Sequence, residues 1–122
     1  MLKRSVQEAE AISIKGDGIK GVTMKLLVGR EDSAPTFAMR HFTVEPGGYT
    51  PKHHHPWEHE VLVLSGDGEL DCEGQQTNIS GGDSLFIPSN DTHQFRNTGT
   101  CELEFLCIVP VASDCGETVP GS

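Results

Sequence analysis

Short apolar runs separated by glycine and proline constrain this chain more than any other feature of its sequence. The 122 residues include 14 glycines and 7 prolines, which are spread along the whole length. Between them, runs such as residues 22–28 and 37–44 stay apolar or alternate for only a few positions. No long run has the 3.6-residue period of an amphipathic helix. Many short strands at regular spacing predict an all-β fold, either a closed barrel or a sandwich.

Turn residues mark where the predicted strands end. The Glu-Pro-Gly-Gly stretch at 45–48 predicts a turn after the strand at 37–44, and residues 65–68 predict another. Glu73-Gly74-Gln75 is typical of a hairpin turn between two short strands. The remaining strands are predicted at residues 61–64, 69–72, 77–79, 84–87 and 101–109.

Length and charge limit the classes of function. The length predicts one domain over residues 1–122, with a core at about 20–110 and a loose polar tail at 111–122. The formal net charge of −9 disfavours nucleic acid and anionic membrane surfaces as partners. No run is long and apolar enough for a membrane span, and the first residues do not resemble a signal peptide.

The four cysteines show no metal-binding or disulfide pattern. Cys72, Cys101, Cys107 and Cys115 contain no CxxC pair and do not form a dense framework. Without an export signal, the simplest interpretation is a set of reduced, structural thiols in a cytoplasmic protein.

Four histidines in two segments predict a metal centre. His53, His55 and His59 lie in the stretch HHHPWEHE, and His93 lies in a separate segment. Alternate residues of a strand share a face, so His53 and His55 should point together while His54 points away. Pro56 disfavours a helix at this point, and the HExxH motif of helical zinc proteases is absent. A run of surface histidines is the alternative, but it does not account for His93.

The same residues resemble the two motifs of the cupin family. Gly47, His53, His55 and Gly66 match the spacing of the first motif. The second motif resembles the stretch from Gly82 through Pro88 and His93 to Asn97, with Asn90 in place of the usual glycine. The resemblance implies a double-stranded β-helix, also called a jelly roll or cupin barrel, with a metal in its mouth.

One departure from the family pattern concerns the third ligand of the first motif. Most metal cupins use a glutamate there, but the spacing from Gly66 places His59 at that position. The chain is therefore similar to the small four-histidine, manganese-containing cupins of bacteria and archaea. The resemblance implies a divalent transition metal held by His53, His55, His59 and His93. Manganese is the favoured metal, and iron, nickel, copper and zinc are alternatives, since imidazole ligands do not discriminate among them.

Four neutral imidazoles also predict what the metal would bind. They leave the site more positive than a carboxylate ligand would, so it should attract an anionic ligand. Part of an octahedral coordination sphere would stay open for a substrate. Glu58, Glu60 and backbone carbonyls are candidate hydrogen-bond acceptors for the ligand imidazoles.

Side chains predicted to face the barrel interior are candidates for the substrate pocket. Arg40 could bind an anionic substrate, Phe95 could line the pocket, and Cys107 could lie near the metal. Phe105 shares the face of Cys107 on the last strand. An ion pair at the rim for Arg40 and a packed core thiol for Cys107 are the alternatives, and no catalytic residue is assigned.

Two functional classes follow. The first is a metal-dependent oxygenase or dioxygenase that acts on a small anionic or enolisable molecule, with redox-neutral isomerase or decarboxylase chemistry as a variant. The second is a non-catalytic cupin module that binds a small molecule or a metal.

The resemblance also predicts a homodimer, in which the strand at 22–28 could add to the sheet of a neighbour.

Overall fold

The computed structural model describes residues 1–113, and over this range the protein is almost entirely β-structure. Two single-turn 3-10 helices lie at Arg30–Asp32 and Val111–Ser113. The strands are β1 (Ile12–Ile14), β2 (Lys20–Val28), β3 (Phe37–Tyr49), β4 (His59–Ser65), β5 (Asp67–Cys72), β6 (Gln75–Ser80), β7 (Ser84–Ile87), β8 (His93–Asn97) and β9 (Leu103–Pro110). The all-β prediction is confirmed. The tail predicted to be loose, with Cys115, lies largely outside the described residues.

All pairings between these strands are antiparallel and belong to one curled sheet. Its order is β6-β5-β8-β3-β9-β4-β7, with β2 also paired to β3 and β1 to β2. The long strand β3 pairs with β9 over most of its length and reaches β8 through its last residue, Tyr49. The curl of the sheet therefore brings the beginnings of β4 and β8 to the same end of the barrel.

The core lies on the concave face of this sheet. Alternate residues of β9, Leu103 through Val109, are almost fully buried, as period-2 alternation requires. Phe105 stacks between Phe42 and Phe95, with ring centroids 5.3 Å and 4.5 Å apart. These offset rings fill the centre of the barrel and form a rigid base beneath its open end.

The predicted turn at residues 45–48 is wrong, because β3 continues through it to Tyr49. Val22 pairs with Val44, but the next pair is Lys20 with Tyr49, so residues 45–48 of β3 form a bulge opposite the single residue Gly21. Gly47 has φ 81°, and a Cβ atom on Gly48 would lie 2.5 Å from the carbonyl oxygen of Lys20. The two glycines therefore allow a bulge in a strand that continues, and they do not reverse the chain.

The other turn predictions are mostly confirmed. Cys72 pairs with Gln75 across a two-residue turn, in which Glu73 and Gly74 both have positive φ angles. β9 begins at Leu103, two residues later than predicted.

In residues 1–113 the two helices are single turns, so none is long and apolar enough to cross a bilayer.

Candidate metal centre

Two strand ends and one extended segment hold the four histidines at the open end of the barrel. His59 is the first residue of β4, and His93 is the first residue of β8. His53 lies outside the regular strands but is bridged to His93 by two backbone hydrogen bonds of 3.1 and 2.9 Å. His53 and His55 face the same cluster while His54 is exposed, as their alternation predicts.

The four imidazole rings are close together. His55 lies 4.4 Å from His59 and 5.2 Å from His93 between ring centroids, and His53 lies 4.9 Å from His93. The ligand atoms of His53, His55 and His93 all lie within 4.8 Å of one another, which is close enough to hold one metal ion. The Nε2 atom of His59 is 2.6 Å from Nε2 of His55, so His59 joins the same cluster.

The outer nitrogens of these rings have defined partners. Nδ1 of His55 lies 3.0 Å from the carbonyl oxygen of Trp57, and Nδ1 of His93 lies 2.9 Å from that of Asp91. A carbonyl can only accept, so each Nδ1 carries a proton and each Nε2 of a neutral ring presents a lone pair to the cluster. The indole of Trp57 also stacks on His55 at 4.3 Å, which fixes the plane of that ring.

His59 has a different partner from the other two rings. Its Nδ1 lies 3.0 Å from the sulfur of Cys107, which is fully buried on β9. The guanidinium of Arg40 contacts the same sulfur at 3.6 Å and lies over the ring of Phe42. A chain of contacts therefore runs from the cluster through Cys107 to a buried cation.

Burial keeps three of the rings neutral. Loss of hydration lowers the pKa of His55 and of His93, and with the neighbouring His93 and His55 it lowers the pKa of His59 to about 2. Neutral imidazole is the form that binds a metal. Imidazoles that converge on one point, with protonated outer nitrogens on His55 and His93 and no carboxylate among the described residues of the cluster, fit a divalent transition metal of intermediate softness.

The stability of the metal-free protein should fall as pH drops below about 6.5. The pKa of His59 is 6.5 when exposed and about 2 in the fold, so the folded state binds fewer protons between these values. The contribution of neutral His59 to the free energy of unfolding is therefore complete above pH 6.5. It is lost as pH falls, by up to about 1.4 kcal/mol per pH unit. Urea denaturation at several pH values measures it. The His59→Gln variant should depend less on pH, and an equal dependence in both proteins contradicts the assignment.

The predicted substrate-pocket residues lie beneath and beside the histidines. Arg40, Phe95, Phe105 and Cys107 are all buried, as their inward-facing pattern predicts. Phe95 meets His93 edge-on at 6.5 Å, so the phenylalanine stack is the floor of the cluster. Contact of any of these residues with a substrate stays a prediction.

One partner of the cluster differs from the candidates in the sequence, and two of those candidates are not partners. Glu58 and Glu60 are exposed, and a hydrogen bond to Glu58 is the main cause of the raised pKa of Glu60. The hydrogen-bond acceptors of His55 and His93 are backbone carbonyls, which were among the candidates. Cys107 as the partner of His59 was not predicted, since its distance in sequence gives no signal of their contact.

A family model described as a cupin domain matches residues 40–109. This stretch includes all four histidines and more than half of the chain. The chain belongs to the cupin family. The barrel with its histidines at the open end agrees with the predicted jelly roll, and Asn90 adopts the left-handed φ of 67° at the position where cupins usually have glycine.

Comparison with known proteins finds several similar proteins. The oxalate-binding protein of Thermotoga maritima is 33% identical over 104 residues, which are 82% of this chain and 84% of the relative. The structure of the polyketide cyclase RemF from Streptomyces resistomycificus has a TM-score of 0.83 and 32% identity, covering 91% of this chain and 80% of that chain. Mannose-1-phosphate guanylyltransferase of Escherichia coli is 40% identical over 76 residues, which are 61% of this chain but only 16% of that enzyme.

Proposed function

We propose that this cupin binds one divalent transition metal through His53, His55, His59 and His93 and uses it to act on a small anionic or enolisable organic molecule. The observation that carries the proposal is the convergence of four imidazoles, three of them buried and neutral, with no carboxylate from the described residues among them. An all-imidazole shell leaves the positive charge of the cation uncompensated, so an anionic ligand is favoured. The names of the relatives, an oxalate-binding protein and a polyketide cyclase, support the same class of molecule.

The residues around such a site would have different roles. When bound, the cation would polarise a substrate oxygen and stabilise the negative charge that develops on it. Trp57 and the carbonyl of Asp91 hold two rings in place, while Phe95 closes the floor and excludes water from below. His53 is only half-buried, so the cluster is open to a small molecule on its side.

Within this class we propose an oxygenase or dioxygenase reaction first. Its support is the chemistry of the site, because an imidazole shell suits redox-active metals and leaves open positions beside the substrate. The similarity to a polyketide cyclase favours a redox-neutral variant as the second candidate, and the similarity to an oxalate-binding protein favours a binding module.

Oxygen uptake with defined metals and substrates separates these functions. The protein is loaded with manganese, iron, nickel or copper and given a panel of carboxylates, diketones, phenols and alkenes. Substrate-dependent oxygen uptake is the expected result for the dioxygenase. Turnover without oxygen uptake assigns redox-neutral chemistry, and tight binding without turnover assigns a binding module. The His59→Gln variant serves as the control without the complete shell.

The metal and the compartment are finer parts of the proposal. Manganese is favoured by the resemblance to four-histidine cupins, although intrinsic affinity would favour nickel or copper. A reducing, cytoplasmic location is supported by Cys72, Cys101 and Cys107, which are free thiols. Metal analysis of protein from cells grown with balanced metals tests the first of these.

We also propose that the protein is a homodimer. Strand addition through β2 does not fit over Val22–Met24, because β1 already pairs with that edge. The convex face of β3, β9, β4 and β7 is a better candidate. Phe37 and Phe86 on this face are 65% and 60% exposed, and Leu62 on β4 is also exposed. Two grooves of about 590 and 530 Å³ meet there at Ile108 and at Glu60, the one acidic residue that both share.

An apolar face of this kind suits a second copy of an acidic chain. Like charges repel between two molecules of net charge −9, so association requires a surface with few charges. Light scattering should therefore give twice the mass of one chain. The double variant Phe37→Glu, Phe86→Glu should be monomeric, whereas Ile12→Glu, which changes an exposed residue elsewhere, should remain dimeric. A monomeric wild-type protein contradicts this proposal.

A further inference from the structure

The hydrogen bonds of His55 and His59 require two different proton arrangements with and without a metal. His55 donates its Nδ1 proton to the carbonyl of Trp57, so its Nε2 carries a lone pair when the ring is neutral. Nε2 of His59 lies 2.6 Å away. At that distance two lone pairs repel, so in the metal-free protein His59 must carry its proton on Nε2 and donate it to His55.

Metal binding reverses this arrangement at His59. A ring that binds a cation through Nε2 has no proton there, so a neutral His59 must carry its proton on Nδ1. The group facing Nδ1 must then donate a hydrogen bond in one state and accept one in the other. A backbone carbonyl, which faces the corresponding atom of His55 and of His93, can only accept.

The group that faces Nδ1 of His59 is the thiol of Cys107, at 3.0 Å. A thiol has one proton to donate and lone pairs that accept, and it changes between these roles by rotating about the Cβ–Sγ bond. The neighbouring Arg40 donates to the sulfur from another direction at 3.6 Å and so holds the sulfur in place. Complete burial excludes water as a substitute partner.

We propose that Cys107 is a positioning residue that acts as a reversible hydrogen-bond partner of His59. Its S–H donates to Nδ1 in the metal-free protein, and its sulfur accepts from Nδ1–H when Nε2 binds a metal. The change conserves protons, because the proton lost from Nε2 is replaced by one on Nδ1 and the thiol keeps its own. Burial raises the pKa of Cys107 to about 11, which agrees with a thiol that stays protonated. The proposal rests on the metal-binding function proposed above.

Three substitutions at Cys107 separate hydrogen bonding from packing. Cys107→Ser keeps both the donor and the acceptor, Cys107→Val keeps the apolar volume without either, and Cys107→Ala removes both. Cys101→Ala is the matched control, since that thiol is exposed and precedes the start of β9. Affinity for Zn²⁺ and Ni²⁺ is measured by competition with a chelator of known affinity, and thermal unfolding shows that each variant is folded.

Loss of the partner should weaken metal binding about 10- to 100-fold in the Val and Ala variants, the range typical of groups that orient metal ligands. The Ser variant should stay within about threefold of the wild type, because a hydroxyl fills both roles. The Cys101→Ala variant should be unchanged. Equal affinity in the Val variant and the wild type overturns the proposal, as does a Ser variant that binds as weakly as the Val variant.

Infrared spectroscopy of the S–H stretch reads the direction of the hydrogen bond independently of affinity. The band that disappears in Cys107→Val belongs to Cys107. It should lie at low frequency in the metal-free protein, where the thiol donates, and should move to higher frequency on addition of Zn²⁺. A Cys107 band that does not move while Zn²⁺ binds overturns the inference and leaves metal binding intact. A protein that binds no metal overturns the proposed function, and the metal-free band then still tests the donor role.

Discussion

Replacing His59 or His93 by alanine should lower the affinity for a divalent transition metal by at least about 100-fold. Loss of a group that only orients a metal ligand already lowers metal affinity by about 10- to 100-fold, and loss of a ligand should cost more. His59 is the more informative of the two. The ring distances place it in the cluster, whereas the atoms of His53, His55 and His93 alone would already suffice for one ion. A large loss in the His59 variant therefore assigns four ligands rather than three.

His54 provides the matched control for this experiment. It lies between two ligands in the sequence, but its side chain is exposed and alternation along the extended segment directs it away from theirs. His54→Ala should bind metal like the wild type, as measured by competition with a chelator. Because His59 is fully buried, His59→Gln is a second variant that limits the loss of packing. Wild-type affinity in both His59 variants would show that this residue is not a ligand.

Metal binding should also raise the thermal stability strongly. A ligand present at about 1,000 times its dissociation constant stabilises the folded state by about 4 kcal/mol. For a chain of this length that corresponds to an increase in Tm of about 15 °C. The reason is structural: the cation would join the starts of β4 and β8 to the segment that carries His53 and His55.

Differential scanning calorimetry with Zn²⁺, and again after removal of the metal by a chelator, measures this effect. The increase should be reversed by the chelator and should be much smaller in the His59→Gln and His93→Ala variants. The His54→Ala variant should show the full increase. A Tm that does not change with metal in the wild type contradicts a site that links these elements.

The sequence predicted the class of fold because the signals were local. Alternation along β3, β4 and β9 and the turn between β5 and β6 are properties of neighbouring residues. The bulge at Gly47 and Gly48 was mistaken for the end of the strand, since Gly48 is required by the carbonyl of Lys20 on another strand, which no local pattern shows. β1 and β8 were not predicted as strands, because they are short and owe their conformation to pairing with β2 and β5.

The candidate metal centre was likewise predictable only where the signal lies in neighbouring residues. The spacing of His53, His55 and His59 and a second segment with His93 were enough to predict a cluster of four rings. The contact of Cys107 with His59 depends on the pairing of β4 with β9, which no local pattern specifies. Trp57 lies only two residues from His55, so a packing contact with the turn that carries His55 was predictable from the sequence, and the two rings stack.

The metal content of protein purified without added metal tests the central claim most directly. Elemental analysis by mass spectrometry should find close to one equivalent of a transition metal per chain in the wild type and in His54→Ala. The His93→Ala variant should contain almost none. A wild-type protein that is purified empty, and that takes up none of manganese, iron, nickel, copper or zinc when they are supplied, would contradict the account.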